Sequence, residues 1–136
     1  MRPVSDALGA EMVGLNQSRP LGDPTFAFVY RAFRDHLVLI FREQALSPES
    51  QIAFSRRFGP VDLYPADNAM HPYHPETFLV STRKRAGKYV GLPDLGPMWR
   101  SDIADKDRTT LGSMLYAIEV PDHCGDTRFA NMYEAY

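Results

Sequence analysis

Asp23-Pro24-Thr25-Phe26-Ala27-Phe28-Val29-Tyr30-Arg31-Ala32-Phe33-Arg34-Asp35-His36-Leu37, running straight into Val38-Leu39-Ile40-Phe41, contains the first clear change of period in this chain. Phe26, Val29, Tyr30, Phe33 and Leu37 recur at helical spacing, so one face of a helix is apolar. Asp23 reads as its N-cap and Pro24 as the first helical residue, where the missing N–H costs nothing. Leu37 to Phe41 is too short for a second helix and predicts a fully buried strand. A helix feeding a strand sets the expectation of a mixed α and β fold.

Upstream, Gly9-Ala10-Glu11-Met12-Val13-Gly14-Leu15 reads as a short strand punctuated by glycine. Downstream, Ser47-Pro48-Glu49 repeats the cap, proline and acid start signal; Ile52, Phe54 and Phe58 continue the period until Gly59-Pro60 stops it. Prolines 60, 65, 72 and 75 predict a structured but irregular loop around His71 and His74. Thr77 to Thr82 reads as a strand, followed by the basic turn Arg83-Lys84-Arg85-Ala86-Gly87-Lys88. Ser113 to Val120, closed by Pro121, is the clearest late strand, and Asn131-Met132-Tyr133-Glu134-Ala135-Tyr136 starts a helix. Strands follow two early helices, which predicts an α+β, β-rich fold: a sheet or barrel with both helices packed on one side.

At 136 residues, 44% hydrophobic and 24% charged, the chain has the composition of one modest globular domain rather than a disordered segment. Fifteen basic and 17 acidic side chains leave a net charge of -2, which gives no footprint for nucleic acid or an anionic membrane. No apolar run approaches the length of a membrane span, and Met1 to Asp6 has no signal-peptide character. One cysteine, Cys124, excludes an internal disulfide framework and suits a reducing compartment. A cytoplasmic protein is expected.

Trp99-Arg100-Ser101-Asp102 is the stretch with the most chemistry. Non-haem Fe(II) oxygenases hold iron with two imidazoles and one carboxylate, leaving other positions open. Two of those ligands can sit as His-x-Asp on one strand, because residues two apart share a face. Here Asp102 is present and Arg100 takes the partner position. Arginine stays protonated and has no lone pair to donate, so it cannot ligate a metal.

Leu8-Gly9-Ala10-Glu11, Phe41-Arg42-Glu43-Gln44 and Gln51 to Gly59 resemble the N-terminal half of the taurine/2,4-D dioxygenase (TauD/TfdA) family. Trp99 to Asp102, Leu111-Gly112-Ser113, Glu119-Val120-Pro121 and Gly125 to Met132 follow in the same order and spacing. The resemblance implies a double-stranded β-helix, or jelly roll, and an Fe(II)- and 2-oxoglutarate-dependent oxygenase acting on a small molecule. It matches Asp102 to the carboxylate iron ligand and puts Arg100 at the first histidine ligand. Thr127 matches the threonine that helps to hold a 2-oxoglutarate carboxylate. Tyr64 falls near a substrate-contacting position. The distal histidine and the arginine that pairs with the cosubstrate are not among these 136 residues, so a single, incomplete domain is expected.

Simpler readings stand beside these. Asp102 can be an ordinary aspartate paired with Arg100, and Thr127 a β-former opening a strand. His71 and His74, with His123 and Cys124, match no zinc spacing and read as solvated loop. Cys124 reads as a small, semi-buried side chain, Trp99 as packing beside the site, and Arg83 to Lys88 as a solvated hairpin tip. Three functions follow. The first is a truncated dioxygenase with weak or no activity alone. The second is a metal-free pseudoenzyme or partner-binding module. The third is an enzyme completed by another chain, or by self-association, through unpaired sheet edges.

Overall fold

The computed structural model describes residues 1–63, 69–96, 98–102 and 107–136. They form a mixed α and β structure that divides into two compact units: Met1–Ser47 with Tyr116–Tyr136, and Pro48–Leu115.

In the first unit, helix α1 (Asp23–His36) buries Val29 and Ala32 and half-buries Phe26, Tyr30 and Phe33. It ends at Leu37, whose φ of 64° lies outside the usual range of a branched side chain. Leu37 N–H still bonds the Phe33 carbonyl at 2.8 Å, and Val38 N–H turns back to the His36 carbonyl at 2.7 Å. That tight reversal launches β3 (Leu39–Ile40) beside β2 (Ala10–Glu11) in parallel, with Ala10 opposite Leu39. β1 (Arg2–Pro3) pairs antiparallel on the other edge of β2, giving the order β1-β2-β3. The core of this unit is small: Ala10, Met12, Val29 and Ala32. A four-residue helix, Met132–Ala135, follows Asn131, whose side chain accepts from Tyr133 N–H at 3.0 Å and donates to the Ala7 carbonyl at 2.8 Å.

Glu11 accepts from Arg2 Nη2 at 2.8 Å and lies 3.5 Å from Arg42 Nε. The Arg2 hydrogen bond, with the charges of both arginines, holds its carboxyl below the usual glutamate range. A lowered folded-state pKa adds stability that is present above the unfolded value and lost as pH falls through the folded one. Urea midpoints should therefore drop on acidification below about pH 4. Arg2→Ala should flatten that part of the drop, and an unchanged profile would show that the pair contributes nothing.

In the second unit, helix α2 (Pro48–Arg56) buries Ile52 and lays Phe54 edge-on against Phe58, with ring centroids 5.5 Å apart. Strands β4 (Met70–His71) and β5 (His74–Phe78) form a bulged hairpin around Pro72-Tyr73. Two contacts fasten α2 to it: Glu49 Oε1 lies 3.0 Å from His74 Nε2, and Arg56 pairs with Glu76 at 2.7 Å. A second hairpin, β6 (Lys84–Arg85) with β7 (Lys88–Tyr89), turns through Ala86 and Gly87, both at positive φ as a type I′ turn requires. Its cations are exposed, with Lys84 Nζ 4.6 Å from the Tyr89 ring centroid, so the solvated hairpin tip expected from the sequence is present.

Several expectations are corrected. Gly22, not Asp23, is the N-cap, because Asp23 and Pro24 already occupy the first turn. The Leu37 to Phe41 stretch is half-buried: β3 is an edge of a three-stranded sheet and not a central strand. Ser113 to Val120 forms no strand; Leu115, Ile118 and Val120 are exposed, and side-chain bonds rather than a ladder hold the segment. Gln51 Nε2 donates to the Met114 carbonyl at 3.3 Å, and Tyr116 Oη donates to the Gln44 carbonyl at 3.1 Å. The β content of the described residues is thus three small sheets rather than one β-rich sheet. No described helix is long and apolar enough to cross a membrane.

Candidate functional site

The Asp102 corner lies wholly in the Pro48–Leu115 unit, and its geometry starts with a turn. Asp94 Oδ1 accepts from Gly96 N–H at 2.7 Å, closing an Asx turn. The Leu95 carbonyl in that turn accepts from Arg100 Nη1. From there Arg100 Nε lies 3.4 Å from Asp102 Oδ1. The other carboxylate oxygen, Oδ2, accepts from Ser113 Oγ at 2.9 Å. Ser113 is placed by α2, which holds the adjoining Met114 by the Gln51 bond and by Ser55 Oγ donating to the Met114 sulfur at 3.4 Å.

The pairing of Arg100 with Asp102 is therefore real, but it does not sit on a strand: Asp102 lies in a turn. Trp99, expected to pack beside the site, is 70% exposed. Thr127 belongs to the other unit and is exposed; it follows Gly125, which has a φ of +83°. A Cβ at Gly125 would come within 3.0 Å of the Pro121 ring, so this Gly-Asp-Thr turn needs its glycine. Cys124 is exposed at φ 64° rather than semi-buried. Tyr64 lies outside the described residues. Ser113 and the Leu95 carbonyl are the site groups that the sequence reading missed. The Leu-Gly-Ser motif was visible, but nothing in its pattern says that its hydroxyl reaches back 11 residues.

An iron ion does not fit this corner as it stands. Both Asp102 oxygens are engaged, Arg100 cannot ligate, and no group of three His, Cys, Asp or Glu side chains among the described residues could hold a metal. The imidazoles of His71 and His74 lie 5.0 Å apart in the β4–β5 hairpin, where His74 is already paired to Glu49. An open cleft beside them is lined by Glu49, Ile52, Arg56, Tyr73 and His74, and Arg56 there is paired with Glu76.

The profile of the Taurine catabolism dioxygenase TauD, TfdA family matches residues 1–136. The chain belongs to this family. Among curated TauD/TfdA-type proteins it is similar to pentalenolactone F synthase of Streptomyces arenae, with 31% identity over 98% of the chain and 46% of that protein. It is also 29% identical to the alpha-ketoglutarate-dependent 2,4-dichlorophenoxyacetate dioxygenase of Cupriavidus pinatubonensis, over 96% of the chain and 48% of the enzyme. The chain thus spans about half the length of the curated relatives it matches. A crystal structure of a taurine dioxygenase from Burkholderia xenovorans superposes on 57% of the chain and 28% of its own, at a TM-score of 0.52 and 35% identity.

Proposed function

We propose that this TauD/TfdA chain derives from an Fe(II)/2-oxoglutarate-dependent dioxygenase that hydroxylates a small organic substrate in the reducing cytoplasm. By itself it has weak or no activity, because Arg100 stands where the first histidine ligand would be. The observation that carries this reading is the closed contact of Arg100 with Asp102, at 3.4 Å, within a chain matched to the family along its whole length. On this reading residues 1–136 contribute to one jelly-roll domain. Asp102 descends from the carboxylate ligand, Thr127 helps to hold a 2-oxoglutarate carboxylate, and Tyr64 lies near the substrate.

Succinate release from 2-oxoglutarate, assayed with Fe(II) and O2, tests the proposal. The purified chain should stay at the level of the no-protein control, and so should Arg100→His, because the distal histidine and the cosubstrate's arginine that the resemblance implies are not among these 136 residues. Vigorous turnover by the unaltered chain would overturn the reading of weak or no activity.

A further inference from the structure

The Asp102 corner is more than a ligand pair with one member lost, because both carboxylate oxygens face partners among the described residues. Oδ1 faces the guanidinium, Oδ2 takes the Ser113 hydroxyl, and the far side of the guanidinium is tied to the Leu95 carbonyl. Each of these bonds has its own support. Leu95 is set by the Asp94–Gly96 turn, and Ser113 by the grip of α2 on Met114. The corner remains half exposed, at 48% for the Arg100 side chain and 52% for Asp102, so a hydrated cation can reach it from solvent. What such a cation meets is a carboxylate with a guanidinium 3.4 Å away and a hydroxyl on its other oxygen.

We propose that Ser113 and the Leu95 carbonyl lock Arg100 and Asp102 into a closed ion pair whose guanidinium takes the place of a divalent cation, so that this corner rejects metal. The proposal rests on the family reading, which gives Asp102 a ligand ancestry, and deepens it by naming Ser113 as the positioning residue for Asp102. A hydroxyl that hydrogen-bonds a metal-ligating carboxylate typically changes metal affinity ten- to a hundredfold. Ser113 therefore has a measurable role once a metal can bind.

Mn(II) binding, followed by loss of the free-ion EPR signal, tests the inference on the full chain. The unaltered chain should leave the signal intact. Arg100→His should bind one Mn(II) at least tenfold more tightly. Adding Ser113→Ala to Arg100→His should weaken binding about tenfold, and Ser113→Thr should restore it, which a merely structural serine would not predict. Equal binding by the unaltered and Arg100→His chains, binding by neither, or indifference to Ser113 would overturn the inference. Should circular dichroism show Arg100→His to be unfolded, Arg100→Gln removes the cation with less change in shape. It should raise Mn(II) affinity at least threefold, and no rise would be equally decisive. Turnover by the unaltered chain would sink the reading of lost activity, whereas failure of Arg100→His to bind Mn(II) would sink metal rejection alone.

Discussion

Gly91→Ala should be among the most damaging single changes in the Pro48–Leu115 unit, costing about 3–5 kcal/mol. Gly91 is buried at a φ of +97°. An added Cβ would fall 2.4 Å from the Leu79 carbonyl oxygen, 2.8 Å from its carbon and 2.9 Å from the Leu79 Cβ. These are backbone and near-backbone atoms, which cannot swing aside as the tip of a long side chain would. Leu79 is also held at both ends: its N–H bonds the Ala69 carbonyl at 2.6 Å, and its carbonyl accepts Leu92 N–H at 2.9 Å. Relieving the clash means giving up at least one of those bonds, about 1 kcal/mol, on top of the left-handed backbone and the overpacking. A loss of this size is a large part of the total stability of a small domain. Gly87→Ala is the control, since Gly87 also has positive φ, at +80°, but nothing lies within 4 Å of its Cβ position. It should cost only about 1–2 kcal/mol in urea denaturation. Equal losses in the two variants would show that the Leu79 contact is not what requires glycine at 91.

That contact also marks where the sequence stops being readable. Helices α1 and α2 were legible because their signals are local: a 3.6-residue period, an acid and a proline in the first turn, and Gly59 beyond the end. The β6–β7 hairpin was legible for the same reason, since its cations flank a two-residue turn ending in glycine. Ser113 to Val120 has a short apolar run, Met114 to Ile118, closed by Pro121, but a strand exists only where a partner offers a ladder, and that information is not in the segment. In the structure the segment is instead pinned by Gln51 and by Tyr116. The site divides along the same line. Arg100 and Asp102 could be paired from the sequence because they are two residues apart. Ser113 could not, because it reaches Asp102 only after α2 has fixed Met114. Trp99 was misjudged because aromatic character argues for burial only where a core is present to receive it, and this ring is exposed.

Gln44 carries the second large effect, and there the sign of a charge decides the outcome. Its Oε1 accepts from Gln17 N–H at 2.8 Å, while its Nε2 donates to the Leu15 carbonyl at 2.9 Å and to the Arg42 carbonyl at 2.7 Å. One side chain thus ties the 15–17 segment to the turn before α2, and Gln17 is 4% exposed, so water cannot easily replace the lost partner. Gln44→Ala leaves a buried donor unsatisfied and should cost about 2–3 kcal/mol. Gln44→Glu keeps the acceptor but replaces the amide donors with a second carboxylate oxygen, which would face two carbonyls at the distances the donor now occupies. At neutral pH it should be worse than the truncation, at about 3–4 kcal/mol, because an ion has been placed where only donors are satisfied. The introduced carboxyl would be pushed up by those carbonyls and by partial burial. A raised folded-state pKa makes the charged form the unfavourable one, so the penalty is full above that pKa and shrinks as pH falls through it. Gln44→Glu should therefore regain stability relative to Gln44→Ala on acidification, opposite in direction to the Glu11 effect. Urea midpoints for both variants at neutral pH and near pH 5 measure this. If Gln44→Glu is as stable as Gln44→Ala at neutral pH, the two carbonyls do not depend on the Gln44 amide, and the 15–17 segment is held by something else.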